Sequence, residues 1–174
     1  LTVCMIVRDE ENNMQGFFET FQSLTSHFLI VDTGSRDSTK MICKKFGCKP
    51  VDFLWGDDFS AARNFALSMV TTPWVLMADV DLRIHRKDAD ELKRYCQDTT
   101  DTNLVYLWSQ FFDQKILLPR MWKTSLKLSY LYPVHELLNV TENVHPRVSE
   151  ITLEHHHHDQ KDFTQSRQYY VSLM

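Results

Sequence analysis

The chain has 174 residues, a length that suits one domain with a single hydrophobic core. With 43% hydrophobic and 24% charged residues, its composition is that of a soluble globular protein and excludes a disordered or fibrous chain. Glycine is scarce: the chain has only four, where usage of about 7% is ordinary. So few glycines cannot build the glycine-rich loops that bind phosphate in dinucleotide-binding folds and P-loop proteins, and both kinds of site are excluded.

The net charge and the hydropathy of the chain argue against nucleic acid as a partner and against a membrane span. The net charge is −4 and there is no long basic run, so the chain lacks the positive surface that nucleic acids require. No apolar stretch approaches the roughly 18 residues of a membrane span. The four cysteines show no C-x-x-C spacing, as is typical of reduced thiols. We expect a cytoplasmic protein with no membrane span in this chain, at most peripheral to a membrane.

Strands and helices alternate over about 1–85. Apolar runs predict the strands, and apolar side chains at helical spacing predict the helices. In chain order these are strand 2–7, helix 10–23, strand 28–31, a helix through 41–46, strand 49–55, helix 59–69 and strand 74–78. This alternation predicts an α/β domain with a Rossmann-like, mostly parallel sheet flanked by helices.

The second half, about 86–160, has a looser pattern within the same single domain. The sequence predicts a short helix at 88–96, strands at 104–112, 115–122 and 148–155, and a mixed segment at 129–140. Residues 161–174 begin a helix that stops without a cap, and the chain starts at Leu1 instead of methionine. Both features suggest that domain 1–174 is a truncated fragment.

Polar clusters follow four of the predicted strands. They lie at 8–10, 32–35, 57–58 and 79–81. Because parallel sheets bind ligands at the carboxyl ends of their strands, we expect these clusters to converge on one active-site edge.

Two carboxylates, Asp79 and Asp81, directly follow an apolar strand. Alternate residues of an extended segment share a face, so both can point the same way. Mg²⁺ and Mn²⁺ prefer such oxygen ligands and are often held by one or two carboxylates together with substrate phosphates. An acidic turn exposed to solvent has the same sequence, and the pattern alone leaves both interpretations open.

Four segments resemble those of family 2 glycosyltransferases of the GT-A fold. They are Cys4-Met5-Ile6-Val7-Arg8-Asp9-Glu10-Glu11-Asn12, Val31-Asp32-Thr33-Gly34-Ser35-Arg36-Asp37-Ser38-Thr39, Asp57-Asp58-Phe59-Ser60-Ala61-Ala62-Arg63-Asn64 and Asp79-Val80-Asp81. Their order and spacing make the resemblance specific over the first 85 residues. Weaker similarity continues through Leu118-Pro119-Arg120, Val134-His135-Glu136 and Ile151 to His157.

The resemblance implies a metal-dependent glycosyltransferase. Such an enzyme moves a sugar from a nucleotide-sugar donor, such as a UDP-hexose, to a hydroxyl of a glycan, lipid-linked or protein acceptor, with inversion. The implied cofactor is Mn²⁺ or Mg²⁺, which stabilises the departing diphosphate. The implied nucleotide-sugar-binding residues are Arg8, Glu10, Asp32, Asp58, Arg63 and Asp79, with Asp32 on the base and Arg63 at the base and ribose. The implied metal ligands are Asp79, Asp81 and His155, with His157 as a second choice of histidine.

Our candidate for the catalytic base is Glu136, which would take the proton from the attacking hydroxyl. In the commoner family pattern the base belongs to an acidic pair, whereas here the pair is His135-Glu136. A surface glutamate, or one salt-bridged to Arg120, is the alternative interpretation.

Two other functions compete with glycosyl transfer. Phosphatases with a D-x-D-x-T motif use the first aspartate as a nucleophile, but the fifth position here is Arg83. A non-enzymatic domain is the other alternative, either an inactive transferase-like domain or a metal-binding module built on the histidines at 155–158. It predicts metal binding that nucleotides do not tighten.

Overall fold

The computed structural model describes residues 1–98, 101–111 and 113–156. The α-helices in this part of the chain are α1 (Glu11–Phe21), α2 (Thr39–Lys45), α3 (Phe59–Ser68) and α4 (Arg86–Gln97). The strands are β1 (Thr2–Val7), β2 (Phe28–Asp32), β3 (Val51–Asp52), β4 (Trp74–Met77), β5 (Leu82–Arg83), β6 (Leu104–Phe111), β7 (Gln114–Lys123), β8 (Tyr130–Leu131), β9 (Leu137–Leu138) and β10 (Pro146–His155). A 3₁₀ helix spans Thr124–Leu126. The helix predicted within 161–174 lies outside the described residues.

Eight strands form one sheet, in the order β3-β2-β1-β4-β7-β6-β10-β5, and β8 pairs with β9 separately. Strands β1 to β4 pair in parallel. Strand β7 is antiparallel to both β4 and β6, and β10 is parallel to β6, so β6 and β10 run in the direction of β4. Only β5 and β7 oppose that direction. The predicted mostly parallel sheet with a mixed second half is confirmed.

Hydrophobic side chains cover both faces of the sheet. Along β1, alternate residues pack into two different clusters, with Met5 in one and Cys4 in the other, because successive side chains of a strand point to opposite faces. Helix α1 buries Phe17 and Phe18 in the first cluster, where α4 also contributes, and α3 adds Ala66 to the second. Helices therefore flank the sheet on both sides, as predicted.

The predicted strand at 49–55 is mostly loop, and only β3 remains of it. Its apolar residues favour a buried strand, yet β3 is the edge of the sheet and Leu54 is 93% exposed. The mixed segment 129–140 contains β8 and β9. Sequence patterns missed β5, because two residues are too few to show a period.

No helix in the described part of the chain is long and apolar enough to cross a membrane.

Candidate active site

The carboxyl ends of the parallel strands bring the predicted polar loops to one edge of the sheet. Strands β1, β2 and β4 end at Val7, Asp32 and Met77, and the polar clusters follow directly. Strand β10 runs in the same direction, so its last residue, His155, reaches the same edge as the segment after β4. Residues far apart in sequence thus form one candidate site.

Asp79 lies between two arginines. Its Oδ1 accepts a hydrogen bond from Nη2 of Arg63 at 2.9 Å, and its Oδ2 lies 2.8 Å from Nη1 of Arg120. Burial raises the pKa of Asp79, but the two guanidinium groups outweigh burial and hold that pKa well below its usual range. Asp79 is therefore an anion at neutral pH, with both oxygens engaged by guanidinium groups.

Arg120 reaches Asp79 because β7 contains a bulge. On the partner strand β6, Val105 faces Met121 and Tyr106 faces Pro119, so Arg120 is the extra residue. A bulge redirects the side chain of its extra residue, and bulges are frequent next to active sites. Arg120 was not among the predicted site residues, since neither the bulge nor the pairing of β7 with β4 has a local sequence signal.

Glu136 is paired with Arg63. Nε of Arg63 donates to Oε1 of Glu136 at 2.7 Å, and the two side chains are only 13% and 15% exposed. The alternative interpretation, a salt bridge to Arg120, is wrong because the guanidinium of Arg120 is turned to Asp79. Nη1 of Arg63 is buried and has no hydrogen-bond partner in the residues described. The guanidinium thus connects Glu136 to Asp79, whereas the resemblance places it at the base and ribose.

Asp81 and His155 are in contact, with Oδ2 and Nδ1 2.9 Å apart. Two adjacent ligands of an octahedral ion, each about 2.1 Å from the metal, lie about 3 Å apart. The pair therefore has the spacing and the chemistry to bind one Mn²⁺ or Mg²⁺. Within the described ranges no three His, Cys, Asp or Glu residues group as a metal site. His157 lies outside those ranges.

Asp32 is a buried carboxylate held by backbone N–H groups and a lysine. Its Oδ1 accepts from the backbone N–H groups of Gly34 and Ser35 at 2.9 Å, and Nζ of Lys40 lies 3.3 Å away. The tight turn needs glycine, because Gly34 has φ +114°. Burial raises the pKa of Asp32, but hydrogen bonds from Ser35, Gly34 and Lys40 lower it overall. No described residue donates to its buried Oδ2.

The other predicted nucleotide-binding residues border the same edge. Arg8 is half exposed at the end of β1, and Oε2 of Glu10 accepts from the amide of Asn13 at 2.9 Å. Asp58 is the N-cap of α3, where its Oδ1 accepts from the N–H of Ala61 at 2.8 Å. A nucleotide contact remains a prediction for all three.

Comparison with protein families finds one that covers most of the chain. The model of Glycosyl transferase family 2 matches residues 2–159. A TPR repeat-containing protein of Synechococcus elongatus is 29% identical over 142 residues, which are 80% of this chain and 35% of that protein. An uncharacterized glycosyltransferase of Rickettsia conorii is 27% identical over 137 residues, which are 76% of this chain and 47% of that protein. The chain thus spans less than half the length of either relative.

Solved structures share the fold at low sequence identity. S. aureus TarS (residues 1–349) has a TM-score of 0.71 and 12% identity, covering 99% of this chain and 64% of that one. Glucosyl-3-phosphoglycerate synthase from Mycobacterium tuberculosis, in complex with Mn²⁺, UDP and phosphoglyceric acid, has a TM-score of 0.71 and 12% identity, covering 99% and 76%. Together with the family match, this likeness shows that the chain belongs to glycosyl transferase family 2 and has the GT-A fold.

Proposed function

We propose that this domain is a metal-dependent glycosyltransferase that moves a sugar from a nucleotide-sugar donor, such as a UDP-hexose, to a hydroxyl acceptor with inversion. The observation that carries the proposal is the contact of Asp81 with His155 at 2.9 Å, at the sheet edge where Asp32 offers a buried carboxylate oxygen. A two-residue ligand pair leaves positions open for phosphate oxygens, as a metal that binds a nucleoside diphosphate requires.

The donor is proposed to lie across the ends of β1, β2 and β4. Asp32 is an anion whose Oδ2, which has no partner in the described residues, would accept an N–H of the base. Arg8, Glu10 and Asp58 would border the nucleotide, and Asp79, whose side chain is 31% exposed, would contact the ribose or the metal ion. The complexes of the mycobacterial synthase with UDP and Mn²⁺ support this arrangement by analogy of fold.

Asp81 and His155 would hold the Mn²⁺ or Mg²⁺, and the resemblance adds Asp79 to that set. When bound, the ion supplies Lewis-acid stabilisation to the departing diphosphate. Arg63 and Arg120 hold Asp79, so the negative charge of Asp79 is fixed in place near Asp81 and His155.

Glu136 is proposed to take the proton from the attacking hydroxyl of the acceptor. A single displacement of the diphosphate by that hydroxyl inverts the anomeric carbon. The proposed acceptor is a glycan, a lipid-linked molecule or a protein. Glu136 is 15% exposed and held by Arg63, which fits a group that must meet substrate in a fixed position.

No observation favours the phosphatase interpretation. In the fifth position of its motif, Arg83 donates to the backbone carbonyls of Val80 and Leu82 at 2.9 Å and to that of Asn13 at 3.2 Å. This side chain tethers local backbone instead of supplying the hydroxyl that the phosphatase motif has at this position.

The proposal is tested by UDP release from UDP-hexoses in the presence of Mn²⁺. Without an acceptor, water can attack the anomeric carbon in place of the acceptor hydroxyl, so we expect the wild-type chain to release UDP slowly and Asp81→Ala to reduce the rate by about 100-fold, since a metal ligand is lost. Asp90→Ala, which removes an exposed aspartate paired with Lys93 at the surface, is the matched control and should leave the rate unchanged.

Absence of UDP release from every UDP-hexose, together with absence of thermal stabilisation by UDP and Mn²⁺, would contradict the proposal. Mn²⁺ binding that UDP does not tighten would instead support the non-enzymatic metal-binding alternative.

A further inference from the structure

We propose that Arg63 is a positioning residue, which fixes the carboxylate of Glu136 relative to Asp79. It thereby fixes the acceptor side of the site relative to the donor side. The inference rests on the proposed function, because it takes Glu136 as the group that receives the acceptor proton. It assigns Arg63 a role different from the contact with base and ribose that the family resemblance implies.

The first support is how Arg63 uses its three nitrogens. Nε binds Glu136 at 2.7 Å, Nη2 binds Asp79 at 2.9 Å, and Nη1 is buried. The side chain is 13% exposed, so solvent screens these ion pairs less than it screens pairs at the surface. Because a guanidinium is a rigid planar fork, it fixes the two carboxylates relative to each other. Two of its three nitrogens are therefore engaged by carboxylates.

The second support is the backbone directly before Glu136. Tyr132 has φ +71° and His135 has φ +55°, a left-handed conformation that costs free energy for residues with a side chain. Such a loop keeps its shape only if its surroundings hold it. The position of Glu136 therefore depends on contacts outside the loop.

Helix α3 supplies those contacts. The hydroxyl of Ser60 donates to the carbonyl of Tyr132, and the N–H of Phe59 donates to the carbonyl of Pro133 at 2.9 Å. One turn further along α3, Arg63 holds the carboxylate of Glu136 itself. The same helix that begins at the donor edge thus holds the loop that carries the proposed base.

The guanidinium also lies over an aromatic ring in this segment. Cζ of Arg63 is 5.5 Å from the ring centre of Tyr130, within the range of a cation–π contact. This contact restricts the plane of the guanidinium, which in turn restricts where its N–H groups point.

A positioning residue and a nucleotide contact give opposite kinetic signatures. Loss of positioning lowers kcat while the affinity for UDP and Mn²⁺ is unchanged, because the proton acceptor is displaced while Arg120 still holds Asp79 on the nucleotide side. Loss of a nucleotide contact lowers that affinity and raises the donor KM.

The experiment compares Arg63→Gln, Arg63→Lys, Glu136→Gln and the double variant Arg63→Gln/Glu136→Gln. We expect Arg63→Gln to lower kcat for UDP release about 10- to 100-fold, with the UDP Kd in Mn²⁺ within about twofold of wild type. Arg63→Lys should recover part of the rate, since an ammonium reaches one carboxylate but cannot bridge two. The double variant should be no slower than Glu136→Gln alone, because the group being positioned is already gone.

Two controls keep the result interpretable. Arg147→Gln removes another partly exposed arginine, which pairs with Asp98 and lies over the ring of Tyr95, and should leave kcat unchanged. Circular dichroism shows whether Arg63→Gln folds, and if it does not, Arg63→Lys alone must show a lowered kcat with an unchanged UDP Kd.

A UDP Kd weakened about tenfold at unchanged kcat, or kcat losses that multiply in the double variant, would overturn the positioning role and leave the proposed function standing. A wild-type chain that neither releases nor binds UDP contradicts the proposed function and, with it, this inference.

Discussion

Three carboxylates at the sheet edge are held by three kinds of partner. Asp32 is held by backbone N–H groups, Asp79 by two guanidinium groups and Asp81 by an imidazole. The backbone partners of Asp32 leave its Oδ2 without a hydrogen-bond partner in the described residues, the arginines engage both oxygens of Asp79, and the group beside Asp81 is an imidazole, a type of side chain that commonly binds metal ions. The three aspartates therefore lie in three different electrostatic environments.

Asp79→Asn should change the acid side of the stability curve. A carboxyl whose pKa is lowered by folding stabilises the protein above the pKa it has when unfolded, about 4, and that contribution is lost as the pH falls towards the folded value. We expect Asp79→Asn to be less stable than wild type at pH 7, and to lose less stability between about pH 5 and pH 2. Urea unfolding at a series of pH values measures both differences.

The pKa of Asp32 is also lowered in the folded protein, so the stability of Asp79→Asn should still fall to some extent at acid pH. Asp90→Asn substitutes an exposed aspartate that pairs with Lys93, and as the matched control it should change the free energy of unfolding at pH 7 by less than about 0.5 kcal/mol. If the curves of Asp79→Asn and wild type run parallel from pH 7 to pH 2, the ion pairs of Asp79 do not contribute to folding.

The sequence could identify the aspartates and, through the family resemblance, His155 as a partner of Asp81, but not the pairing of Arg63 and Arg120 with Asp79 and Glu136. Asp32, Asp79 and Asp81 each follow an apolar strand, which is a local signal. The pairing of Glu136 with Arg63 joins residues 73 positions apart, and the approach of Arg120 depends on a bulge in β7. Such contacts follow from how the strands pair, and one sequence does not encode that in any short segment.

At the scale of elements, α3 connects the two halves of the site. One face of α3 packs Ala62 and Ala66 out of solvent, while its polar residues contact β8 and the loop after it. Asn64 makes two of these contacts: its amide donates to the carbonyl of Tyr130 at 2.9 Å and its Oδ1 accepts the N–H of Tyr130 at 2.7 Å. The side chain of Asn64 thus makes the two hydrogen bonds with the backbone of Tyr130 that a neighbouring strand would otherwise make.

Asn64→Asp should destabilise the domain by about 1–3 kcal/mol, because the carboxylate cannot donate and would face the carbonyl of Tyr130. Urea unfolding at pH 7 measures the free energy of unfolding. Asn139→Asp makes the same change at an exposed position and should cost less than about 0.5 kcal/mol. Equal effects of the two substitutions would show that the contact of Asn64 with β8 is not a significant source of stability.

For the whole molecule, the order of strands determines which residues meet. Local patterns predicted nearly every strand of the sheet, and the alternation in the first half predicted its parallel direction. They did not predict that β7 lies between β4 and β6. Because β7 is antiparallel to both, β6 and its parallel neighbour β10 run in the direction of β4. With β10 in that direction, its pairing with β5 sets His155 opposite Leu82 and so next to Asp81, 74 residues away, which forms the candidate metal pair.

Titration calorimetry of UDP with and without Mn²⁺ tests that pair most directly. We expect the wild-type chain to bind UDP at least about tenfold more tightly with Mn²⁺ than with a chelator, and this difference to disappear in both Asp81→Ala and His155→Ala. Asp90→Ala should retain it. Equal UDP affinity with and without Mn²⁺ in the wild type, or a metal effect that survives in both substitutions, would contradict a nucleotide site built on Asp81 and His155.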